Sequence, residues 1–276
     1  MRIGLLQLTS SDDPDANIAG TLDLVAEAAA AGAELVATPE VTNCVSTSRT
    51  RQTRVLCREA ADPTLAALRG AAERHGVWVL AGSLALATGD PDGRFANRSF
   101  LIDHRGHVAA RYDKIHMFDV TLSEAETYRE SDGYRPGTRA VLAAADAVRI
   151  GLTICYDIRF PALYRALAQA GAQVLAVPSA FSPVTGAAHW EPLLRARAIE
   201  TGCFVVAPAQ TGRHVAVRGR RRETHGHSMV VAPWGEVLLD MGTAPGAAVV
   251  DLDLGQVDAA RQKVPSLSGD RSFAAP

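Results

Sequence analysis

The 276-residue sequence has no apolar run approaching the roughly 20 residues that cross a bilayer as a helix, which argues against a membrane-spanning role. Its opening, Met1-Arg2-Ile3-Gly4-Leu5-Leu6, runs straight into a strand pattern. It has neither the apolar core nor the small-residue cleavage site of a secretory signal, so a cytoplasmic location is expected. Cysteine is scarce. The four, at positions 44, 57, 155 and 203, show neither the paired spacing of a zinc site nor the density of a disulfide framework. At least one is a candidate nucleophile, and the others read as small buried hydrophobes.

A charge excess is also missing. Twenty-eight Lys and Arg against 30 Asp and Glu give a net charge of -2, unlike the strongly basic balance of nucleic-acid-binding domains. The one cationic run, Arg218-Gly219-Arg220-Arg221-Arg222, is local and by itself reads as a solvated loop. No repeat, low-complexity linker or charge block divides the chain. With 47% hydrophobic residues it can bury a large core, and one domain over 1–276 is expected.

What is present is an alternation of strand and helix patterns. Ile3 to Leu8 reads as a buried strand, Asn17 to Ala31 as an Ala-rich helix stopped by Gly32, and Leu35-Val36-Ala37 as a short strand. Asp62-Pro63 supplies an N-cap and a first-turn proline for a helix to about His75. Val77 to Leu86 follows as a strand, and Phe95 to Ile102 with His107 to Tyr112 as a hairpin. Residues 113–137 show little periodicity, and a loop of that length is usually functional. Then come a strand from Val148 to Ile154, a helix from Pro161 to Ala170, a strand from Val174 to Pro178, a helix from His189 to Thr201 and a strand from Cys203 to Pro208. Further strands surround the turn at Pro233-Trp234-Gly235-Glu236, and the tail after Lys263 has no strong pattern. This is an α/β chain.

Three chemically compatible side chains fall where strands hand over to loops, the usual place for ligands in α/β folds. Glu40 follows the Leu35 strand, Lys114 the His107 strand and Cys155 the Val148 strand. Each alone is unremarkable; together they suggest a shared site. The paired histidines 104/107 and 225/227 have no cysteine or carboxylate cluster beside them, so no metal is expected.

The segments that carry these residues resemble the signatures of the nitrilase superfamily of carbon-nitrogen hydrolases. They are Thr38-Pro39-Glu40, Tyr112-Asp113-Lys114-Ile115-His116 and Ile154-Cys155-Tyr156-Asp157-Ile158-Arg159-Phe160-Pro161, in the family's order and spacing. The resemblance continues through Pro178-Ser179-Ala180-Phe181, His189-Trp190-Glu191, Arg195 to Glu200, Gly226 to Val231 and Pro233 to Glu236. It implies a four-layer α-β-β-α sandwich and a cofactor-free enzyme that converts an amide to carboxylate plus ammonia through a thioester.

In that scheme Cys155 is the nucleophile and Glu40 the base, with a pKa expected to be raised by burial near a second carboxylate. Lys114 stabilises thiolate and carboxylates or donates to the oxyanion, with the Tyr156 N–H as second donor. Glu130 orients Lys114; Glu124 and Glu126 are rivals for that role. Tyr156, His116, Ser179 and Phe181 are the expected substrate contacts, with His116 equally suited to a hydrogen-bonded place behind the site. Arg159 is expected to be buried against a carboxylate.

Within the superfamily, Tyr128-Arg129-Glu130-Ser131, Pro178 to Phe181 and Gly212-Arg213-His214 look most like the branch that hydrolyses deaminated glutathione. The omega-amidase branch, acting on alpha-ketoglutaramate, is its neighbour. Both imply a small anionic amide, whose carboxylates the Arg213 to Arg222 loop could receive. The resemblance further implies a homodimer built on the helices after Phe160 and around Arg195, with the C-terminal segment. A catalytically silent binding protein and a Cys–His thiol enzyme are the contrasting classes. The full glutamate–lysine–cysteine set speaks against both.

Overall fold

The computed structural model describes residues 1–123 and 126–274. Along the chain the elements are β1 (Arg2–Gln7), α1 (Pro14–Ala30), β2 (Leu35–Ala37), α2 (Arg49–Val55), α3 (Pro63–His75), β3 (Trp78–Ala87), β4 (Phe95–Ile102) and β5 (Val108–Asp113). After them come β6 (Asp119–Ser123), β7 (Glu126–Arg129), β8 (Val141–Ala145), β9 (Val148–Leu152), α4 (Pro161–Gln169), β10 (Val174–Ala176), α5 (Pro183–Thr201) and β11 (Phe204–Ala207). The last are β12 (Thr211–Arg213), β13 (Glu223–His225), β14 (Met229–Val231), β15 (Val237–Asp240), β16 (Gly246–Asp251) and α6 (Gly255–Lys263).

Among the described residues two six-stranded sheets form, in the orders β16-β1-β2-β3-β4-β5 and β15-β14-β11-β10-β9-β8. Each has three parallel strands at its centre, β1-β2-β3 in one and β9-β10-β11 in the other, flanked by antiparallel partners. The period-2 geometry of strands sorts the side chains into layers. Ile3, Leu5, Leu35, Ala37, Trp78 and Leu80 join the core shared with Ile150, Leu152 and Val174 of the second sheet. Their neighbours Leu6, Val36 and Val79 instead pack with Val25, Ala28 and Leu68 of α1 and α3. Helices α4 and α5 cover the outer face of the second sheet through Tyr164, Leu167, Leu194 and Ala198. The result is the expected α-β-β-α sandwich.

Local signals account for many boundaries. The Asp62 carboxylate accepts the Leu65 N–H at 2.8 Å, Pro63 opens α3, and left-handed Gly76 closes it. Helix α5 starts six residues before the expected His189. Its signal is Ser182, whose hydroxyl accepts the Thr185 N–H, followed by Pro183. The interior Gly186 and Pro192 mask the apolar period there; Gly186 is needed because a Cβ would stand 2.2 Å from the His225 ring. The segment 113–137 is also more regular than expected. Strands β6 and β7 form a ribbon, and a 3-10 turn at Glu130–Asp132 follows. Glu124 lies outside the described residues.

The edge that carries the site is shaped by a bulge in β3 between Ala81 and Leu84. Gly82 lets this backbone reach the Glu40 loop, for a Cβ there would lie 1.8 Å from the Thr38 carbonyl oxygen. The Gly82 N–H donates to the Thr38 hydroxyl, and the Ser83 hydroxyl accepts the Val41 N–H at 2.8 Å. Val41 is thereby held at φ 47°, a conformation that β-branched residues rarely adopt.

Candidate active site

A cavity of about 730 Å³ opens at the carboxyl ends of the central strands and is lined by Glu40, Lys114, Glu130 and Cys155. Glu40 arrives after β2, Lys114 after β5, Glu130 after β7 and Cys155 after β9. The Lys114 ammonium is buried and donates to Glu40 Oε1 at 2.9 Å and to both Glu130 oxygens, each at 2.9 Å. The remaining Glu40 oxygen accepts the Ala180 N–H at 2.9 Å, and Glu130 Oε2 accepts the Phe118 N–H at 2.6 Å. Every carboxylate oxygen therefore has a donor, the condition under which buried charges persist.

Cys155 stands at φ 50° at the head of a 3-10 turn, Cys155–Arg159. That turn is tied down from several sides. The Cys155 N–H donates to the Pro178 carbonyl at 2.9 Å. Fully buried Asp157 accepts from the Ile154 N–H, the Tyr112 hydroxyl, the His116 N–H and the His116 ring. Arg197 donates to the Ile158 carbonyl at 2.8 Å. Asp157 thus ties the Lys114 segment to the Cys155 segment.

The charge states follow from this packing. Burial alone raises the Glu40 carboxyl, but the Lys114 ammonium, then the Arg222 guanidinium, outweigh it and hold the carboxyl below its ordinary range. The expected upward shift is thus corrected in direction, because the lysine lies between the two carboxylates. Burial pushes the Cys155 thiol well up, reinforced by the Glu40 charge and opposed by Lys114. Burial lowers the Lys114 pKa, but Glu130, Glu40 and Cys155 carry it well above its ordinary value. This packing favours the ionised forms of Glu40 and Lys114 and opposes ionisation of the Cys155 thiol.

Tyr156 and Phe181 line the cavity. The structure does not bring His116 and Ser179 to its wall. The His116 ring is taken up by Asp157 at 2.7 Å and stacks on Phe160, while the buried Ser179 hydroxyl donates to the Val177 carbonyl. Both act on the frame around the cavity. The expected carboxylate partner of Arg159 is likewise replaced by His189 and by the faces of Tyr156 and Phe181. The buried arginine paired with a carboxylate is Arg197, with Glu200 at 2.6 Å.

Several contributors were not singled out from sequence. Asn97 donates to Glu40 at 2.9 Å and to Glu130 at 3.4 Å, Gln210 donates to the Glu40 carbonyl, and Arg222 donates to the Ala180 carbonyl at 2.6 Å. Phe118, Tyr128 and Tyr134 complete an aromatic wall. Arg222 falls in the cationic run and Tyr128 in the Tyr128-Arg129-Glu130-Ser131 segment, whereas Asn97 and Gln210 carry no local signal. Cys44 also lines the cavity, its thiol pushed up to about 12 by burial. Among the described residues no group of three or more His, Cys, Asp and Glu is placed to hold a metal.

A buried thiol beside two carboxylates and an ammonium, on this sandwich, defines a thiol hydrolase class. The carbon-nitrogen hydrolase family model matches residues 2–262, and the chain belongs to that family, within the nitrilase superfamily. It is a hydrolase of the amidase kind. The sequence is 39% identical to the deaminated glutathione amidase of Yersinia enterocolitica, over 98% of this chain and 92% of the relative. The crystal structure of the C. elegans NitFhit protein matches with a TM-score of 0.88 and 36% identity, over 98% of this chain; the chain spans 65% of that protein's length. A mutant amidase from Nesterenkonia sp. AN1, with acrylamide added at its active-site cysteine, matches at 28% identity and a TM-score of 0.78, over 96% of this chain and 98% of that one.

Proposed function

We propose that this enzyme hydrolyses deaminated glutathione or a close keto-acid amide, with Cys155 as nucleophile, Glu40 as base, Lys114 as electrostatic partner and Glu130 as its support. The observation that carries the reading is Lys114 Nζ at 2.9 Å from both Glu40 and Glu130 within the cavity that holds Cys155. The relatives named for this substrate supply its identity.

Because the thiol is neutral at rest, its proton passes to Glu40 as Sγ closes on the amide carbon. The oxyanion gathers at the Lys114 ammonium and the Tyr156 N–H. Glu40 returns the proton to the leaving nitrogen, and a thioester to Cys155 remains. Water then attacks this thioester while giving a proton to Glu40; the carboxylate leaves and the thiol recovers its proton. The leaving group is ammonia from a primary amide and an amine from a substituted one. For deaminated glutathione it is cysteinylglycine, so ammonia release alone does not follow the reaction. Losing the lysine should lower kcat by about 10²–10³, as for an oxyanion donor.

The protein acts as one domain in the cytoplasm, where four free thiols suit a reducing compartment. It works as a homodimer. Ile199 and Trp234, each 55% exposed, sit on the α5 side beside the C-terminal segment, with Lys263 over the Trp234 ring, and offer an apolar contact patch.

The test is turnover of deaminated glutathione, alpha-ketoglutaramate, an aliphatic amide, an N-carbamoyl amino acid and a nitrile, read by acid and amine product. Cys155→Ala is the control. Hydroxylamine should divert the thioester to a hydroxamate. Turnover that survives Cys155→Ala, or fast turnover of the nitrile alone, would overturn the reading.

A further inference from the structure

Strands β12 and β13 form a hairpin whose loop reaches the rim of the Cys155 cavity. The loop is docked on its surroundings. His214 is buried, its ring held between the Ser10 carbonyl and the Thr224 hydroxyl, each at 2.7 Å. The buried Asp12 carboxylate accepts the N–H groups of Val217 and Arg218, and the Thr47 hydroxyl donates to the Arg220 carbonyl at 2.8 Å. The backbone that carries the loop's arginines is therefore fixed relative to the cavity.

Those arginines have different fates. Arg213 pairs with Glu223 at 3.1 Å, and Arg222 is taken up by the Ala180 carbonyl. Arg218 does not line the cavity. Arg220 and Arg221 do line it, are exposed, and have no carboxylate partner among the described residues. Of the two other arginines on the wall, Arg222 is the one held by the Ala180 carbonyl, and Arg129 donates to the Tyr128 carbonyl and lies near Asp119. Deeper in, the two glutamates already satisfy Lys114. Arg222 and Arg129 are spent on backbone carbonyls, whereas Arg220 and Arg221, with no carboxylate partner among the described residues, offer an anionic substrate group two exposed guanidiniums at the rim.

Cavity size points the same way. About 730 Å³ lies within the roughly 300–1,000 Å³ of sites that enclose drug-sized ligands, ample for more than a small keto-acid amide. We propose that Arg220 and Arg221 form a carboxylate subsite for the end of the substrate remote from the scissile amide. The enzyme then selects amides whose leaving amine ends in a carboxylate, as cysteinylglycine does. Arginine suits this task through its planar donor fork. This rests on the keto-acid amide reading above and divides the Arg213 to Arg222 expectation among its members.

The experiment compares deaminated glutathione with its C-terminal carboxamide on the intact enzyme. The native protein should favour the free acid by roughly tenfold in kcat/KM, chiefly through KM, as for an exposed charge pair. Arg220→Ala/Arg221→Ala should bring the ratio of the two substrates close to one. Arg220→Glu/Arg221→Glu should tip it toward the carboxamide, and Arg218→Ala, off the cavity, should keep the native ratio. A double variant that keeps the native preference, or slows both substrates equally, overturns the subsite while leaving the amidase reading intact. Native enzyme that ignores both substrates but turns over another amide overturns the substrate reading first, and the subsite with it.

Discussion

The Tyr112 hydroxyl donates to the carboxylate of Asp157 at 2.7 Å, and this contact joins the strand that delivers Lys114 to the turn that delivers Cys155. Asp157 is fully buried and also accepts from Ile154 and from two groups of His116. Asp157→Ala should leave these donors unsatisfied and cost on the order of 3 kcal/mol of stability. Tyr112→Phe removes one bond and should cost about 1–2 kcal/mol. Urea unfolding measures both; kcat should fall more in Asp157→Ala than in Tyr112→Phe.

In the proposed mechanism Glu40 must be ionised to take the thiol proton, and its pKa is lowered against the opposing effect of burial by Lys114 and then Arg222. Activity should therefore persist as pH falls through the ordinary carboxylate range and be lost only below it. Arg222→Gln removes one of the lowering charges, so the acidic limb of kcat/KM should move up in pH. A limb that stays in place would show that Arg222 does not act on Glu40.

Gly82 leaves no room for a side chain, since a Cβ there would lie 1.8 Å from the Thr38 oxygen and 2.5 Å from Pro178 Cβ. Gly82→Ala should push the Thr38–Glu40 loop aside and lower kcat by about 10²-fold, the scale for displacing a reacting group by about 1 Å. A Cβ at Gly70 of α3 would meet nothing within 4 Å. Gly70→Ala should leave kcat alone and stabilise by about 1 kcal/mol through helix propensity. Steady-state kinetics and melting curves separate the two.

The His214 pKa is lowered to about 4, first by burial, partly offset by the Ser10 carbonyl and aided by the Arg222 charge. The unfolded chain binds this proton near pH 6.5 and the folded chain only near 4, so stability should fall as pH drops through that window. The full loss is about 3 kcal/mol. His214→Gln should flatten this part of the profile in urea titrations between pH 7 and 4.

Where local chemistry decides structure, the sequence was readable. Asp62-Pro63 and Gly76 bound α3, and Leu35–Ala37 is the strand expected. The start of α5 and the β6–β7 ribbon were harder. Gly186 answers to the His225 ring rather than to the helix period, and a two-stranded ribbon on the surface needs no regular apolar alternation. Within the site, Glu40, Lys114, Glu130 and Cys155 were visible because each lies in a distinctive segment. Asn97 and Gln210 were not, since an amide that donates to a distant carboxylate leaves no periodic trace.

The sequence by itself determined the α/β class, the Asp62 and Gly76 caps of α3, the strand-end positions of Glu40, Lys114 and Cys155, and the family. The tertiary structure decided which of them touch and in what charge state. Glu40 and Lys114 are 74 residues apart in the chain and 2.9 Å apart in space. Whether a buried carboxyl is raised or lowered depends on the charge beside it more than on the residue itself. Only folding places the ammonium there, and the same packing sends His116 and Ser179 into the frame while leaving Arg220 and Arg221 at the open end of the cavity.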